Sequence, residues 1–302
     1  MKLDPVSLKL FIAVAEEGSI ARAGAREHIA PAAVSKRMAE LETVLRAPLL
    51  MRNWKGVVPT DAGLTLLRLA RHAVHTLDDT YTQMLEYAEG ARGQVRVYAN
   101  ISAITQFLPD DLATFAQAHP QVQILLEERN STSVTRAVAD NAADIGICTL
   151  LPHDDSLEQL AYETDELVVV LRKDHPLARR ASLTLADVVD WDFVGLREGS
   201  AINGRVSDAA AALGRTPKVR VHVTGFDALC LMVGAGMGIA IAPRHAARFY
   251  AADLRLGEVA LKEPWARRGI GICVRSMAGL SPAGRLLVGH LQRRALLRGP
   301  VR

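Results

Sequence analysis

Residues 19–38 read SIARAGAREHIAPAAVSKRM, which predicts two short helices joined by a tight turn. Ser19 can cap the first helix, and Pro31 suits the first position of the second because a proline there gives up no helical hydrogen bond. The second helix has apolar residues at helical spacing, namely Val34, Met38, Leu41 and Leu45. Two short helices with this spacing, the second of them basic at its start, are typical of a helix-turn-helix.

The residues on either side extend this motif. Residues 5–17 predict a preceding helix that stops at Gly18. After the second helix, a strand near Leu49, a basic turn over residues 52–56 and a return strand near Val57 predict a wing. Polar and basic side chains of such a helix reach base edges and phosphates, and those of a wing reach phosphate oxygens. The predicted DNA contacts are Ser35, Lys36, Arg37, Arg52 and Lys55.

Basic residues are concentrated at the two ends of the chain. Residues 1–60 contain nine Lys and Arg against six Asp and Glu, a difference equal to the whole formal net charge of +3. This excess favours a polyanionic partner such as double-stranded DNA. Residues 267–302 contain eight arginines and no acid. That run has two interpretations, a further phosphate contact or the solvated face of a terminal helix.

A long helix is predicted to follow the wing over residues 61–92, with Thr60 as its cap. Its apolar residues recur at alternating spacings of three and four, at Leu67, Ala70, Val74, Leu77, Tyr81, Met84 and Ala88. One interpretation is an amphipathic helix packed on its own domain. The strict 3.5-residue period favours a helix that pairs with a copy of itself. The predicted dimerisation residues are Leu67, Val74, Leu77, Tyr81 and Met84.

From residue 93 the predicted strands and helices alternate, which indicates an α/β module. The first strand, Val95–Ala99, is followed by one predicted helix over residues 104–118. The order of elements implies two lobes with a cleft between them: lobe I of about residues 93–163 and 267–302, and lobe II of about residues 164–266. The whole chain is therefore predicted to be an α+β multidomain protein.

Composition argues against a membrane or secreted protein. The longest uncharged apolar run, residues 228–243, is shorter than the roughly 20 residues of a spanning helix and contains three glycines. The chain begins MKLDP, and an acid followed by a proline does not fit the start of a signal peptide. We therefore expect a soluble cytoplasmic protein with no membrane partner.

The sequence also lacks the motifs of common catalytic sites. No P-loop, G-x-S-x-G or G-x-G-x-x-G pattern occurs. Cys148, Cys230 and Cys273 lie far apart in apolar segments, which favours buried reduced thiols over a redox sensor. The stretch His153-Asp154-Asp155 lies in a polar loop without the spacing of metal ligands. We expect no enzymatic activity, no cofactor and no metal.

Four stretches carry a family resemblance: FIAVAEEGS at 11–19, AVSKRM at 33–38, PTDAG at 59–63 after the wing Arg52, and GAGMGIAIAP at 234–243. In this order, with the long helix and the two-lobed module, they resemble the LysR-type transcriptional regulators from end to end. The resemblance implies three parts: a winged helix-turn-helix domain at 1–60, a linker and dimerisation helix at 61–92, and a periplasmic-binding-protein-like effector module at 93–302.

The same resemblance implies a function. A LysR-type regulator binds operator DNA as a homodimer or homotetramer and responds to a small-molecule co-inducer, and RNA polymerase is a further candidate partner. A solute-binding protein shares the two-lobed module, but it would need a signal peptide and would not carry residues 1–90. One departure concerns the recognition helix, where Ala30 and Pro31 replace the Ser or Thr cap and the Gln that members often carry. The operator preference of relatives is therefore not carried over.

An effector site is expected between the lobes. In open α/β sheets ligands bind beyond the carboxyl ends of strands, near helix N-termini. Ser102 and Thr132 stand at two such corners of lobe I and resemble the family's ligand-contacting positions, although each is equally explained as a helix cap. In lobe II, Arg197 with Ser200 would meet an anionic effector, whereas Asp227 would suit an amine or hydroxyl group.

Overall fold

The computed structural model describes residues 3–54, 56–89, 93–149, 157–197 and 199–299. The chain divides into two compact units, one of residues 1–92 with 140–142 and one of the remaining residues from Gly93 onward. Within the described ranges, no helix is long and apolar enough to cross a membrane.

Helices and one hairpin form the first unit. In chain order they are α1 (Pro5–Glu17), α2 (Ile20–Arg26), α3 (Pro31–Leu45), β1 (Leu50–Asn53), β2 (Gly56–Pro59) and α4 (Asp61–Glu89). β1 and β2 pair antiparallel, from Leu50 opposite Pro59 to Asn53 opposite Gly56. The predicted winged helix-turn-helix, followed by a long helix, is confirmed.

Local sequence explains why the first unit adopts this fold. Asp4 and Ser19 cap α1 and α2, and the Asp4 carboxylate accepts the Ser7 N–H at 2.9 Å. Gly56 opens β2 with a φ of +127°, and a Cβ there would collide with the carbonyl oxygen of Gly18, so this turn requires glycine. The shared core of the helices includes Phe11, Val14, Val34, Met38, Leu41 and Ala70.

The second unit alternates strands and helices. They are β3 (Gly93–Ala99), α5 (Ile101–Gln106), α6 (Leu108–Ala118), β4 (Val122–Glu128), α7 (Ser131–Ala139), β5 (Ile145–Thr149), β6 (Glu158–Arg172), β7 (Ser182–Leu183), α8 (Leu185–Val188), β8 (Asp192–Leu196), α9 (Ala201–Ala212), β9 (Lys218–Val223), α10 (Phe226–Gly234), β10 (Ala240–Pro243), α11 (Arg244–Leu254), β11 (Leu256–Leu261), β12 (Arg267–Val274) and α12 (Pro282–Arg298).

The long strand β6 joins two hydrophobic cores. The strand order is β4-β3-β5-β12-β6-β11-β7, and β10 also pairs with β6. Residues 158–166 of β6 pair with β12, and residues 167–172 pair with β10 and β11. One core is built from residues between 95 and 162 together with 270–291, and the other from residues between 167 and 266. The predicted two-lobed α/β architecture is confirmed.

Two details differ from the sequence prediction. The single helix expected over residues 104–118 is two helices, α5 and α6, that meet at Phe107. Pro109 lies in the first turn of α6, and a proline cannot continue the hydrogen bonding of a preceding helix. The sequence pattern also gives no prediction for α11 and β11, which follow the glycine-rich stretch. β11 completes lobe II by pairing antiparallel with β6.

Two arginines near the C-terminus, Arg294 and Arg298, form ion pairs inside the second unit. Arg298 donates to both carboxylate oxygens of Asp111, at 2.6 and 2.7 Å, and to Glu163 at 2.5 Å. Arg294 donates to Asp111 at 3.0 Å, and so does the Tyr162 hydroxyl at 2.5 Å. These two side chains join α12 to α6 and β6, an arrangement that neither sequence interpretation, phosphate contact or solvated face, includes.

Cys148, Cys230 and Cys273 are buried and form no disulfide bond within the described residues. The neighbouring Cys273 thiol and burial together raise the pKa of Cys148 far above its ordinary value. Burial raises the pKa of Cys230 to about 11. The thiolate is the reactive form of cysteine, so these two side chains are poorly suited to redox sensing.

Candidate DNA-binding surface and effector pocket

The recognition helix α3 presents a small surface with one exposed lysine. The exposed residues of its first two turns are Pro31, Ala32, Ala33 and Lys36, whereas Ser35 is half-buried. The Lys36 side chain is 79% exposed, and its Nζ lies 3.9 Å from the Glu40 carboxylate one turn later. An exposed pair of this kind is weak and easily screened, so Glu40 does not hold the Lys36 ammonium firmly.

Arg37 lies on the same helix but is turned toward α1. Its guanidinium donates to the Ser7 hydroxyl at 3.2 Å and lies 3.5 Å from the Asp4 carboxylate. The hydrogen bonds from Ser7, with a smaller contribution from the charge of Arg37, lower the pKa of Asp4. In this arrangement Arg37 holds the recognition helix against the start of α1 instead of extending from it.

The wing is anchored to α3 by a carboxylate. Glu42 accepts hydrogen bonds from the backbone N–H groups of Leu49 and Leu50, at 2.7 and 3.1 Å. These hydrogen bonds hold the start of β1 against α3. Arg52 lies on β1 and is exposed. Trp54 at the turn is 89% exposed, although the sequence pattern predicts no role for it. The predicted contact Lys55 lies outside the described residues.

The heptad positions of α4 fall into two groups. Ala70 and Val74 are buried in the core of the first unit, and Leu67 packs against the same core. Beyond them Leu77, Tyr81 and Met84 are 50%, 69% and 64% exposed. The interpretation as a helix packed on its own domain therefore describes the first half of the repeat. The second half is an exposed apolar stripe, which here means these three side chains.

A pocket lies between the two lobes of the second unit. The residues that line it are Asn100, Ile101, Ser102, Glu128, Arg129, Asn130, Ser131, Leu196, Arg197, Ser200, Ala201, Ile202, Thr224 and Arg268. The first residues of α5, α7 and α9 are thus brought together from both lobes. The first N–H groups of a helix have no intrahelical partner, so such ends favour anions.

A buried polar network prepares the lobe I side of the pocket. The Asn100 amide donates to the hydroxyls of Ser131, at 3.1 Å, and Thr149, at 3.2 Å, while its oxygen accepts the Ala103 N–H at 3.0 Å. Because the Ser131 oxygen already accepts a hydrogen bond, its own O–H can donate into the pocket. Ser102 is oriented in the same way, since its oxygen accepts a hydrogen bond from Arg268 at 3.2 Å.

Arg268 and Asp165 form a buried ion pair behind Ser102. They are cross-strand partners on β12 and β6, and each side chain is 1% exposed. Burial lowers the pKa of Arg268, and the Asp165 charge opposes that shift. Among the described residues, Arg268 Nε and Asp165 Oδ1 have no hydrogen-bond partner. Arg268 lines the pocket, and Asp165, which contacts it, is not among the described lining residues.

The pocket unites three of the five residues predicted for the effector, namely Ser102, Arg197 and Ser200. Thr132 is exposed, and neither it nor Asp227 is among the described residues that line the pocket. The neighbouring Ser131 occupies the position expected of Thr132, because the first helical residue of α7, not the second, faces inward.

Ser131 and Arg268 line the pocket but were not predicted from the sequence. Ser131 could have been found as the residue that follows the Asn130 cap of α7. Arg268 carried a weaker signal, a charged residue two positions before an apolar strand core, and its partner lies 103 residues away. Among the residues that the structure describes, no three His, Cys, Asp or Glu side chains group as metal ligands would, and His153-Asp154-Asp155 lies outside them.

Comparison with known proteins identifies the family. The family model described as LysR substrate binding domain matches residues 88–296. The model of the bacterial regulatory helix-turn-helix protein, lysR family, matches residues 6–64. The chain belongs to the LysR family. It is a LysR-type DNA-binding transcriptional regulator, and its second unit is the effector-binding domain of that family.

Individual LysR relatives agree with this assignment. The transcriptional dual regulator GltC of Bacillus subtilis is 26% identical over 279 residues, which cover 91% of this chain and 92% of GltC. Full-length CbnR complexed with its target DNA has a TM-score of 0.68 at 22% identity, covering 97% of this chain and 100% of CbnR. The effector-binding domain of QuiR in complex with shikimate has a TM-score of 0.61 at 20% identity, covering 70% of this chain and 100% of that domain.

Proposed function

We propose that this LysR-type regulator reads its operator with the start of α3 and the wing, and that a small carboxylate in the pocket switches it. The single observation that carries the ligand assignment is the pocket itself, where hydroxyls oriented to donate face a cation. The Arg197 side chain has no hydrogen bond or ion pair with any residue that the structure describes. A carboxylate held by Ser131 from lobe I and Arg197 from lobe II would satisfy both groups.

Such a ligand can act as a switch because it touches both lobes. A ligand shifts a conformational equilibrium only by its difference in affinity for the two states, so contacts that span the lobes are the effective ones. QuiR, a structural neighbour, holds shikimate in its effector-binding domain, which supports a small organic ligand here. We propose that the protein acts in the cytoplasm as a homodimer or homotetramer, by binding and without catalysis.

For DNA, we propose that Lys36 and Ser35 contact bases or phosphates and that Arg52 contacts phosphates, while Arg37 positions the helix through Asp4 and Ser7. Lys36→Ala should weaken operator binding by about 1–3 kcal/mol, the range of one good specific contact. Fluorescence anisotropy with a duplex selected by the wild-type chain measures this affinity. Lys218→Ala, at an exposed lysine of β9, is the matched control and should leave the affinity unchanged. Equal affinity of the Lys36 variant and wild type would contradict the role.

For the effector, the adjacent hydroxyls of α7 allow a sharp comparison. Ser131→Ala should lower carboxylate affinity by about 1.5–3 kcal/mol, the range for a hydrogen bond to a charged group. Thr132→Val removes a hydroxyl one residue later that is exposed and outside the pocket lining, so it should bind as wild type does. Titration calorimetry of the full chain against a panel of small carboxylates is the measurement. A larger loss of carboxylate affinity in the Thr132 variant than in the Ser131 variant would contradict the role of Ser131.

A further inference from the structure

The charges around the pocket are largely paired before any ligand binds. Of the three arginines that line it, Arg129 is ion-paired with Glu127 and Arg268 with Asp165. The Arg197 side chain has no hydrogen bond or ion pair with a described residue, so within the described lining it is the cation without a built-in counter-ion. Within the described lining, Glu128 is the acid, and it is exposed. One uncompensated guanidinium suits one carboxylate.

Arg268 differs from Arg197 because its counter-ion is built in. The Asp165 carboxylate lies against the guanidinium, is equally buried, and cannot be screened by solvent there. A second ligand carboxylate placed against Arg268 and Ser102 would therefore also be close to the Asp165 charge, and like charges in a buried site repel strongly. A hydroxyl can accept hydrogen bonds from the same two side chains and brings no charge.

We propose that Asp165 sets the charge of the effector: by neutralising Arg268, it makes the pocket take a monocarboxylate that carries a neutral hydrogen-bonding group such as a hydroxyl, and reject dianions. The ligand carboxylate lies at Ser131 and Arg197, and the neutral group lies at Ser102 and Arg268. This assignment rests on the proposed effector function of the same pocket. It makes Arg268 a ligand contact and Asp165 a specificity-determining residue that acts through it.

Matched acids test the proposal directly. The full chain is titrated calorimetrically with 4-hydroxybutyrate against succinate, and with 4-hydroxybenzoate against terephthalate. Each pair differs in whether a hydroxyl or a second carboxylate stands at the far end. We expect the wild type to bind at least one hydroxy acid ten or more times more tightly than its matched dicarboxylate.

Asp165→Asn should remove this preference, because it keeps a hydrogen-bond acceptor for Arg268 and removes the negative charge. The affinity of the variant for the dicarboxylate should rise at least tenfold, and the dicarboxylate should raise its melting temperature more than that of the wild type. Glu127→Gln is the control, since it removes a carboxylate beside the pocket that is paired with Arg129 instead of Arg268. It should leave the preference unchanged.

Ser102→Ala keeps the test decisive if the Asp165 variant does not fold. It should lower the affinity for 4-hydroxybutyrate toward that for butyrate, which lacks the far group, and should change butyrate affinity less. A wild type that binds dicarboxylates as tightly as hydroxy acids would overturn the role of Asp165 in selecting the effector. The proposed binding of anions in the pocket would still stand. Binding of neither class to the wild type would contradict the proposed effector function, and the inference with it.

Discussion

Replacing Asp111 with Asn is expected to lower the free energy of unfolding of the second unit by about 3 kcal/mol at neutral pH. Asp111 is fully buried, and both of its oxygens are used, by Arg294, Arg298 and Tyr162. Removing one partner of a buried ion pair costs roughly 3–5 kcal/mol. We expect the lower end of that range because the two arginines remain about one-third exposed and can recover some hydration.

The loss of stability caused by Asp111→Asn should be smaller at acidic pH than at neutral pH. Burial would raise the pKa of Asp111, but the hydrogen bonds from Arg298, Tyr162 and Arg294 hold it below its ordinary value of 3.8. A carboxyl whose folded pKa is lowered contributes stability that is fully present above the unfolded pKa and is lost as pH falls through the folded pKa. The difference between wild type and variant should therefore be constant between about pH 5 and 8 and shrink below about pH 4.

Asp110→Asn is the matched control, because Asp110 is exposed and lies in the same first turn of α6. Urea unfolding of each variant is followed by tryptophan fluorescence in a Trp54→Phe background, where Trp191 and Trp265 report on the second unit. Glu163, whose pKa is raised chiefly by burial, shifts stability with pH in the opposite direction. The free energies of unfolding of the wild type and the Asp111 variant are therefore compared with each other at each pH. Equal stability of the Asp110 and Asp111 variants would contradict the role of the network.

Replacing Leu77 with Asp should dissociate the dimer. Leu77 is half exposed in the single chain, so the new charge costs little there, but it would be buried unpaired if the exposed apolar stripe of α4 is the dimer seam. A cost of about 3 kcal/mol corresponds to a dissociation constant raised more than a hundredfold. Operator affinity should fall with it, because two half-sites must be held together.

Leu69→Asp is the control for the effect of adding a negative charge anywhere on the exposed surface of α4. Leu69 lies on α4, is also 50% exposed and falls outside the heptad positions, so its variant should remain dimeric. Sedimentation velocity measures the oligomeric state of both proteins. An intact dimer in the Leu77 variant, or equal dissociation of the two variants, would show that the stripe is not the seam.

Periodic features of this chain could be predicted from sequence, and features that depend on distant pairing could not. The helix-turn-helix, the wing and the long helix follow from local spacing and capping, as Ser19 and Val34 illustrate. The heptad of α4 was ambiguous in sequence because Val74 and Tyr81 occupy equivalent positions, yet only the structure shows that the first is buried and the second exposed. Tertiary contacts, not the period, separate the two halves.

The residues of the effector pocket could likewise be predicted only in part. The sequence predicts that a helix begins near residue 131. Whether Ser131 or Thr132 faces the pocket depends on the rotation of α7 about its axis, and a sequence pattern does not fix a helix boundary to within one residue. Arg268 meets Asp165, and Arg298 meets Asp111, through strand register and helix packing across 103 and 187 residues. No local signal encodes such pairs, so the C-terminal arginines looked like a surface run.

Selection of genomic DNA fragments by the purified wild-type chain, with and without the tightest-binding carboxylate, tests whether the chain recognises specific DNA through Lys36 and responds to a ligand at Ser131. Sequencing of the retained fragments should give a small set that shares a two-fold related half-site, and the ligand should change their retention. Lys36→Ala should lose the enrichment, and Ser131→Ala should keep it but lose the response to ligand. Retention of all fragments alike, or a pattern that neither Lys36→Ala nor the ligand alters, would contradict the account.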